Sequence, residues 1–355
     1  MKILHLLEPI AVGFRVGVAI RAFAYREGWF KTRRLGRPVV SVGNLTLGGT
    51  GKTPLVVVVV RALAKRGLKP AILTRGYRRR RDADLVALEP HAPGEERTAD
   101  PRTVGDEPAL LARLLPEVPI VVSSDRYRAG RLAEHRFDAG VHILDDGFQH
   151  LALARDVDIV AVDATRELSD WALVPAGRQR EPCSALARAD LVVLTRAELV
   201  DPLPLERRVR QINPRALIFH AVTRLGELAD VTTGERQTPA AILGGRGPTF
   251  WAFCGIGNPG AFFADLRAWG FTVAGETAFR DHHVYRGAEL YDLERRALRA
   301  GAAALLTTEK DAMNLPSDAG TRLPIFACAI ELELGEAQAF EQELATRLAG
   351  WPTAD

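Results

Sequence analysis

Between Ser41 and Pro54 the chain reads SVGNLTLGGTGKTP. Gly48, Gly49, Thr50 and Gly51 make a glycine-rich turn, and Lys52 and Thr53 follow it at the head of a helical stretch. Such a turn aims backbone N–H groups at a phosphate, the lysine adds a point charge on the β/γ oxygens, and the Thr hydroxyl reaches Mg²⁺. The strict GxxxxGK[ST] spacing fails at its first position, where Thr46 stands for Gly, yet GGTGKT survives in place. A turn that only reverses the chain has no need of GKT, so the segment reads as a P-loop.

VHILDDGFQH (141–150) is an apolar strand that ends in Asp145 and Asp146, the form of a metal-holding Walker B element. Adjacent side chains on an extended chain point to opposite sides, so one carboxylate of the two is expected to face the ion. An ordinary strand-end cap is the alternative. In VGDEPALLARLL (104–115), Asp106 precedes a helical pattern. It reads equally as an N-cap and as a carboxylate that accepts a proton from an attacking hydroxyl. In RDHHVY (280–285), Asp281 would orient His282 or His283, although surface runs of this kind are often inert. Arg75 opens the run RGYRRRR, which suits an anionic substrate or a solvated turn. The loop LVPAGRQREP (173–182) carries Arg178, Arg180 and Glu181, and loops of this length often hold binding groups. LVVLTRAEL (191–199) stands where P-loop GTPases read guanine, but with Arg196 and Glu198 in place of Lys and Asp.

These residues need a scaffold. Apolar runs at Pro38–Val42, Pro70–Thr74, Pro119–Ser123, Val141–Leu144, Val157–Val162 and Leu191–Leu194 alternate with helical stretches, and Ala216–His220 reads as an edge. That alternation predicts an α/β fold: a P-loop NTPase-like core with a mostly parallel sheet and ligands at the strands' carboxyl ends. One local conflict stands out. Val56–Val60 is a five-valine run of high β propensity where the P-loop requires a helix. Residues 224–330 read as a smaller C-terminal α/β domain, with strands at Thr249–Gly255, Thr272–Thr277 and Ala303–Thr307 and helices at Pro259–Trp269 and Ala288–Arg299. The division expected is 1–37, an arm; 38–223, the nucleotide-binding core; 224–330, the smaller domain; and 331–355, a C-terminal helix returning to the core.

Of 355 residues, 47% are hydrophobic and 26% charged, which excludes a wholly disordered chain. Cys183, Cys254 and Cys328 lie far apart, excluding a disulfide framework and a thiolate zinc site. Residues 1–37 carry eight Lys/Arg against two acids, so the remainder is mildly acidic. A basic arm on an acidic body is an anchor to an anionic surface rather than a nucleic-acid binder. Ile3, Leu6, Leu7, Ile10 and Phe14 share one side of a helix. The longest uncharged stretch between Glu8 and Arg26 is Pro9–Phe14, far short of the ~20 residues a bilayer span needs. An N-terminal amphipathic helix at a membrane surface is therefore expected, with packing on its own domain as the alternative.

Taken together, SVGNLTLGGTGKTP, LTRGY, GDEP, SSDRYRAG, LDDGFQH, VPAGRQREP, CGIGNPGAFFADL, FRDHH and TTEKDAMN, in this order, resemble the tetraacyldisaccharide 4′-kinase family over nearly the whole chain. The resemblance implies ATP and Mg²⁺ as cofactors and an acylated, 1-phosphorylated glucosamine disaccharide as acceptor, at the cytoplasmic face of the bacterial inner membrane. It implies that Lys52 and Thr53 serve the phosphates and metal, and that Asp106 abstracts or orients the proton, paired with His282. Asp145, Asp146 and His150 would line the metal and phosphate region, with Arg180 and Glu181 on the neighbouring loop. With His282 on the smaller domain and Asp106 on the core, the resemblance places the site between domains. The sequence departs from the pattern at Arg78, where a glycine-like position follows Tyr77 in the family. A P-loop GTPase or metallochaperone-like switch and a soluble small-metabolite kinase are the competing readings, and nothing in the sequence sets an oligomeric state.

Overall fold

The apolar, basic N-terminus forms a 25-residue helix, α1 (Lys2–Arg26), in the computed structural model of the protein. The structure describes the chain apart from residues 1, 78, 80–82, 93, 94, 96, 98, 167–171, 245, 246, 317, 319 and 352–355, with the backbone alone of 2–9. The side chains of Ile3, Leu6 and Leu7, and Arg78, Arg80 and Arg81 of the arginine run, thus lie outside the described residues. Ile10, Val12, Phe14, Val16, Ile20 and Phe23 are all exposed. At about 100° per residue they span more than half of the helix circumference. The uncovered apolar surface is therefore wider than the single stripe expected. Among the described residues of α1 the ties lie at its far end: Ala24 is buried, and Arg21 Nη2 donates to the Gln149 carbonyl at 3.1 Å.

A first compact unit comprises Met1–Val222 and Leu332–Asp355. After α1 come β1 (Val39–Asn44), α2 (Lys52–Lys65), β2 (Pro70–Thr74), β3 (Leu85–Leu88), α3 (Pro101–Val104), α4 (Asp106–Leu114) and β4 (Ile120–Ser123). They continue with α5 (Arg126–Phe137), β5 (Val141–Asp145), β6 (Val157–Asp163), β7 (Leu191–Thr195), α6 (Leu203–Ile212) and β8 (Leu217–Asp230). The strands lie in the order β3-β4-β2-β5-β1-β6-β7-β8. All pair in parallel except β3 with β4. β1, β2, β4, β5 and β7 are buried at every residue, as expected of strands covered on both faces. The short antiparallel β3 was not expected, and β8 runs well past His220 to leave the unit.

The connection out of β1 leads toward β2, whereas the one out of β5 crosses to β6 on the other side of β1. This reversal opens a crevice at the carboxyl ends of β1 and β5, the ligand-binding position of such sheets. The valine run is helical, and Leu55, Val56, Val57, Val59 and Val60 are buried within α2. Intrinsic preference against helix costs tenths of a kcal/mol per valine, while burial of each side chain contributes about 1.5–3 kcal/mol. Burial decides. Gly43 is required because the turn after β5 crosses β1: a Cβ there would stand 2.6 Å from Phe148 Cβ.

The second unit is Thr223–Glu331. It contains β9 (Arg236–Gln237), α7 (Pro239–Leu243), β10 (Thr249–Cys254), α8 (Pro259–Ala268), β11 (Thr272–Ala278), α9 (Gly287–Arg299), β12 (Ala304–Thr308), α10 (Glu309–Ala312) and most of β13 (Ile325–Leu334). β10 pairs in parallel with β11 and β12, and β12 with β13. β13 occupies a segment with no expected strand, although its second half alternates exposed glutamates with buried leucines.

The last helix, α11 (Ala337–Leu348), belongs to the first unit. Phe340 is fully buried and meets Phe219 of β8 edge-on at 5.2 Å, and Arg347 Nη1 pairs with Asp190 at 2.6 Å. Phe340→Ala is expected to lower the unfolding free energy of this unit by about 3–5 kcal/mol, read as a lower urea midpoint by circular dichroism.

Candidate active site

The residue after β1's last buried position begins a clamp. Arg180 N donates to the Leu45 carbonyl at 2.7 Å, and Leu47 N to the Arg178 carbonyl at 2.6 Å. The loop 173–182 is thereby laid along the entry to the glycine turn. Gly48 and Gly51 adopt φ of +105° and +77°, and Gly51 caps α2 with no side chain of its own. Thr195 at the end of β7 donates to the Thr50 carbonyl at 3.1 Å, and Asn44 Nδ2 donates to Thr50 Oγ1 at 2.8 Å. These contacts pin the turn from beneath and leave Lys52 and Thr53 at the open end of α2.

Lys52 Nζ stands 2.9 Å from Asp146 Oδ1 and donates to Asn44 Oδ1 at 3.3 Å. Arg180 Nη1 donates to Asp146 Oδ2 at 2.6 Å. Burial opposes ionisation of Asp146, but Lys52 and Arg180 outweigh it and hold the carboxyl well below the ordinary range. Asp146 reaches this position from a left-handed backbone, φ +53°, which Asp tolerates better than most side chains. Asp145 turns the other way and accepts from Thr74 Oγ1 at 2.9 Å. Burial, then the Glu107 and Asp146 carboxylates, push it up to about 7.

Asp106 is the first residue of α4, and Gly105 (φ +99°) occupies the cap. The N-cap reading of Asp106 is therefore corrected: the turn needs a left-handed residue that only glycine supplies readily. The RGY turn after β2 packs on this turn backbone to backbone, since a Cβ on Gly105 would lie 3.0 Å from Gly76 Cα and from the Tyr77 carbonyl. Arg75 and Asp106 thus sit on touching turns. Arg126 at the head of α5 is buried and donates to the Ser123 and Ser124 carbonyls. Burial lowers it to about 10, while Asp145 and Asp146 act to raise it.

Gln149 Nε2 donates to the Asn44 carbonyl at 2.8 Å and to Glu181 Oε2 at 3.1 Å. Arg188 Nη2 donates to the same Glu181 oxygen and lies over the Phe148 ring at 4.5 Å. His150 is held down at about 4 by burial first, then by Arg126, Arg155 and Arg21. The first unit therefore gathers Lys52, Asp145, Asp146 and Arg180 in direct contact or at adjacent positions, with Glu181 one residue removed through Gln149. Sequence reasoning gave no role to Asn44, Glu107, Arg126 or Gln149. Three of them adjoin the residues it did choose (Glu107 beside Asp106, Gln149 beside His150, Asn44 just ahead of the turn), and Arg126 lies within SSDRYRAG.

In the second unit His282 adopts φ +59° and donates its N–H to the Gly255 carbonyl at 2.9 Å. Asp281 Oδ1 is at ion-pair separations from His282 Nε2 (3.8 Å) and Lys310 Nζ (3.6 Å). His283 is committed to structure: its Nε2 lies 3.1 Å from Glu289 Oε2, and its ring stacks on Phe279 and abuts Tyr285. The segment after β7 is also structural, because Arg196 is buried and bonded to Asp163 Oδ2 at 3.1 Å.

The family described as tetraacyldisaccharide-1-P 4′-kinase, LpxK, matches residues 3–349. A tetraacyldisaccharide 4′-kinase of Geobacter metallireducens is 39% identical over 339 residues, covering 96% of each chain. The chain belongs to the tetraacyldisaccharide 4′-kinase family. A second relative in that family, from Geobacter sulfurreducens, is 41% identical over 323 residues, 89% of this chain and 85% of the relative. The crystal structure of an LpxK from Aquifex aeolicus in complex with ATP matches the fold with a TM-score of 0.75 at 29% identity, covering 98% of this chain and 99% of that one. No described helix of this 4′-kinase family member is long and apolar enough to cross a membrane.

The unfolded chain takes up the His150 proton from about pH 6.5 downward, whereas the native state resists it to about 4. This contribution to stability is complete above about 6.5 and is lost as pH falls to about 4. NMR of the folded protein should show the His150 ring titrating near 4, and His150→Gln should remove that part of the acid destabilisation. A ring titrating near 6.5 would contradict the burial argument.

Proposed function

We propose that the chain transfers the γ-phosphoryl group of ATP to the 4′-hydroxyl of an acylated glucosamine disaccharide 1-phosphate, yielding the 4′-phosphorylated lipid, at the cytoplasmic face of the inner membrane. The observation that carries this reading is the Lys52–Asp146–Arg180 contact at the end of β5, beside a P-loop pinned by Asn44 and Thr195, in a chain of this family.

Phosphoryl transfer asks the protein chiefly for alignment and charge neutralisation. The turn amides from Gly48 to Thr53 and the Lys52 ammonium supply these for the phosphate oxygens. No three His, Cys, Asp or Glu residues among those described form a metal cage by themselves. One or two hard carboxylates completed by phosphate oxygens is instead the ordinary arrangement for Mg²⁺. Thr53, Asp145 and Asp146 fit that chemistry: burial first, and then the Glu107 and Asp146 carboxylates, raise Asp145, and a divalent cation would relieve the carboxylate repulsion. When bound, the ion would neutralise charge on the phosphate oxygens. Asp106, at the head of α4, is assigned to take or orient the acceptor's proton, and His282 is assigned to proton transfer as well. Arg75, His150, Arg180 and Glu181 are assigned to the acceptor side and its neighbouring loop.

The acceptor carries several acyl chains, and each CH₂ it would have to expose in leaving a bilayer costs about 0.8 kcal/mol. The exposed apolar residues of α1, together with exposed Trp29 and Phe30 and the basic run from Lys31, support an interfacial role for this arm.

The deciding assay follows label from γ-³²P-ATP into a detergent-dispersed acylated disaccharide 1-phosphate. Lys52→Ala and Asp106→Ala should each lower transfer by about 100-fold or more. ATP hydrolysis without labelled lipid would overturn the assignment. Ile10→Asp with Ile20→Asp should weaken co-sedimentation with anionic vesicles by at least about tenfold and leave ATP binding intact. Unchanged sedimentation would show that α1 does not enter the interface.

A further inference from the structure

The segment Thr308–Asn314 has no part in the chemistry above, yet it encloses one of the most buried carboxylates of the second unit. Asp311 is 1% exposed. Its Oδ1 accepts from Gly255 N at 2.8 Å and from the Tyr285 hydroxyl at 2.9 Å, and its Oδ2 accepts from Thr308 Oγ1 at 2.6 Å. Those first two donors flank the turn that carries Asp281, His282 and His283. Gly255 accepts from His282 N–H, while Tyr285 follows the two histidines and donates its own N–H to the Asn314 carbonyl at 3.1 Å. Lys310, one residue before Asp311, lies 3.6 Å from Asp281.

Three ties thus run from one short segment to one turn. At their centre Gly255 leaves no room for a side chain: a Cβ would be 2.9 Å from the Arg280 carbonyl and from His283 Cβ, and 3.1 Å from Asp311 Oδ1. The restraint has something to hold. His282 sits at φ +59°, a left-handed conformation that a non-glycine residue keeps only where its surroundings impose it.

We propose that Asp311 is a positioning residue which, through Gly255 N–H and the Tyr285 hydroxyl, holds His282 in its left-handed backbone and so aims the imidazole for phosphoryl transfer. The kinetic half rests on the assignment of His282 made above; the conformational half does not. A displacement of about 1 Å in such a group costs on the order of 100-fold in rate.

The test uses the full-length protein with three variants, Asp311→Ala, Asp311→Asn and Tyr285→Phe, beside His282→Gln. Hydrogen exchange at the His282 amide reads the conformation, and kcat with the KM for ATP reads the consequence. Asp311→Ala should speed exchange at His282 selectively and lower kcat by about 100-fold with the KM for ATP unchanged. Asp311→Asn retains an acceptor oxygen and should recover most of that loss. Tyr285→Phe, which removes one of the donors to Asp311 Oδ1, should fall between them and guards against a misfolded alanine variant. Exchange at His282 that stays at the wild-type rate in Asp311→Ala and Tyr285→Phe would overturn the proposal. So would exchange that rises uniformly across the unit, with kcat falling only as the folded fraction falls. If His282→Gln retains full kcat while Asp311→Ala still frees the His282 amide, the catalytic assignment of His282 fails and the positioning claim stands.

Discussion

A carboxylate held between two cations organises the first unit. Asp146 meets Lys52 on one oxygen and Arg180 on the other, and each partner comes from a different part of the chain. Lys52 arrives from the glycine turn after β1, Arg180 from the loop laid across that turn, and Asp146 from the end of β5. Asp146 is only part-buried, and the two cations that flank it tie three segments of the chain together at one point. Its neighbour Asp145 is left on the far side, raised by burial and by Glu107. The two carboxylates, adjacent in sequence, therefore face opposite electrostatic environments, which is the asymmetry a nucleotide and a divalent cation would exploit.

The sheet exists to make that meeting possible. β1 and β5 pair with Val42 opposite Asp145, which brings the phosphate-binding turn and the acidic strand end to the same edge. Gly43 lets Phe148 pass at contact distance, and Phe148 in turn carries Arg188 on its face. Packing decisions in the core thus set the position of Glu181 and Gln149 at the rim.

Much of this was legible in the sequence. Strand-forming apolar runs appear within a residue or two of β1, β2, β4, β5, β6 and β7, because strands buried on both faces must be continuously apolar. The valine run of α2 was readable only because GKT preceded it, since propensity alone points to a strand. What stayed hidden depended on tertiary approach. Asn44 and Arg126 lie inside the quoted motifs, yet residue type alone gives them no role; the fold shows Asn44 bonded to Thr50 and Lys52, and Arg126 buried where Asp145 and Asp146 act on it. Asp106 reads equally as a cap and as a proton acceptor in sequence, whereas contact with the RGY turn puts the cap one residue earlier, at Gly105. In the second unit the residues alone left His282 and His283 open, and the resemblance chose His282. The structure engages the His283 ring with Phe279, Tyr285 and Glu289.

In the function proposed above, Asp146, fixed by Lys52 and Arg180, is one of the carboxylates that link cation and nucleotide. Calorimetry with a non-hydrolysable ATP analogue, with and without Mg²⁺, tests it most directly on wild type and Asp146→Asn. Mg²⁺ should tighten wild-type binding by about tenfold or more, and the variant should lose this enhancement. An Asp146→Asn protein that binds the analogue with the full Mg²⁺ dependence of wild type would contradict it.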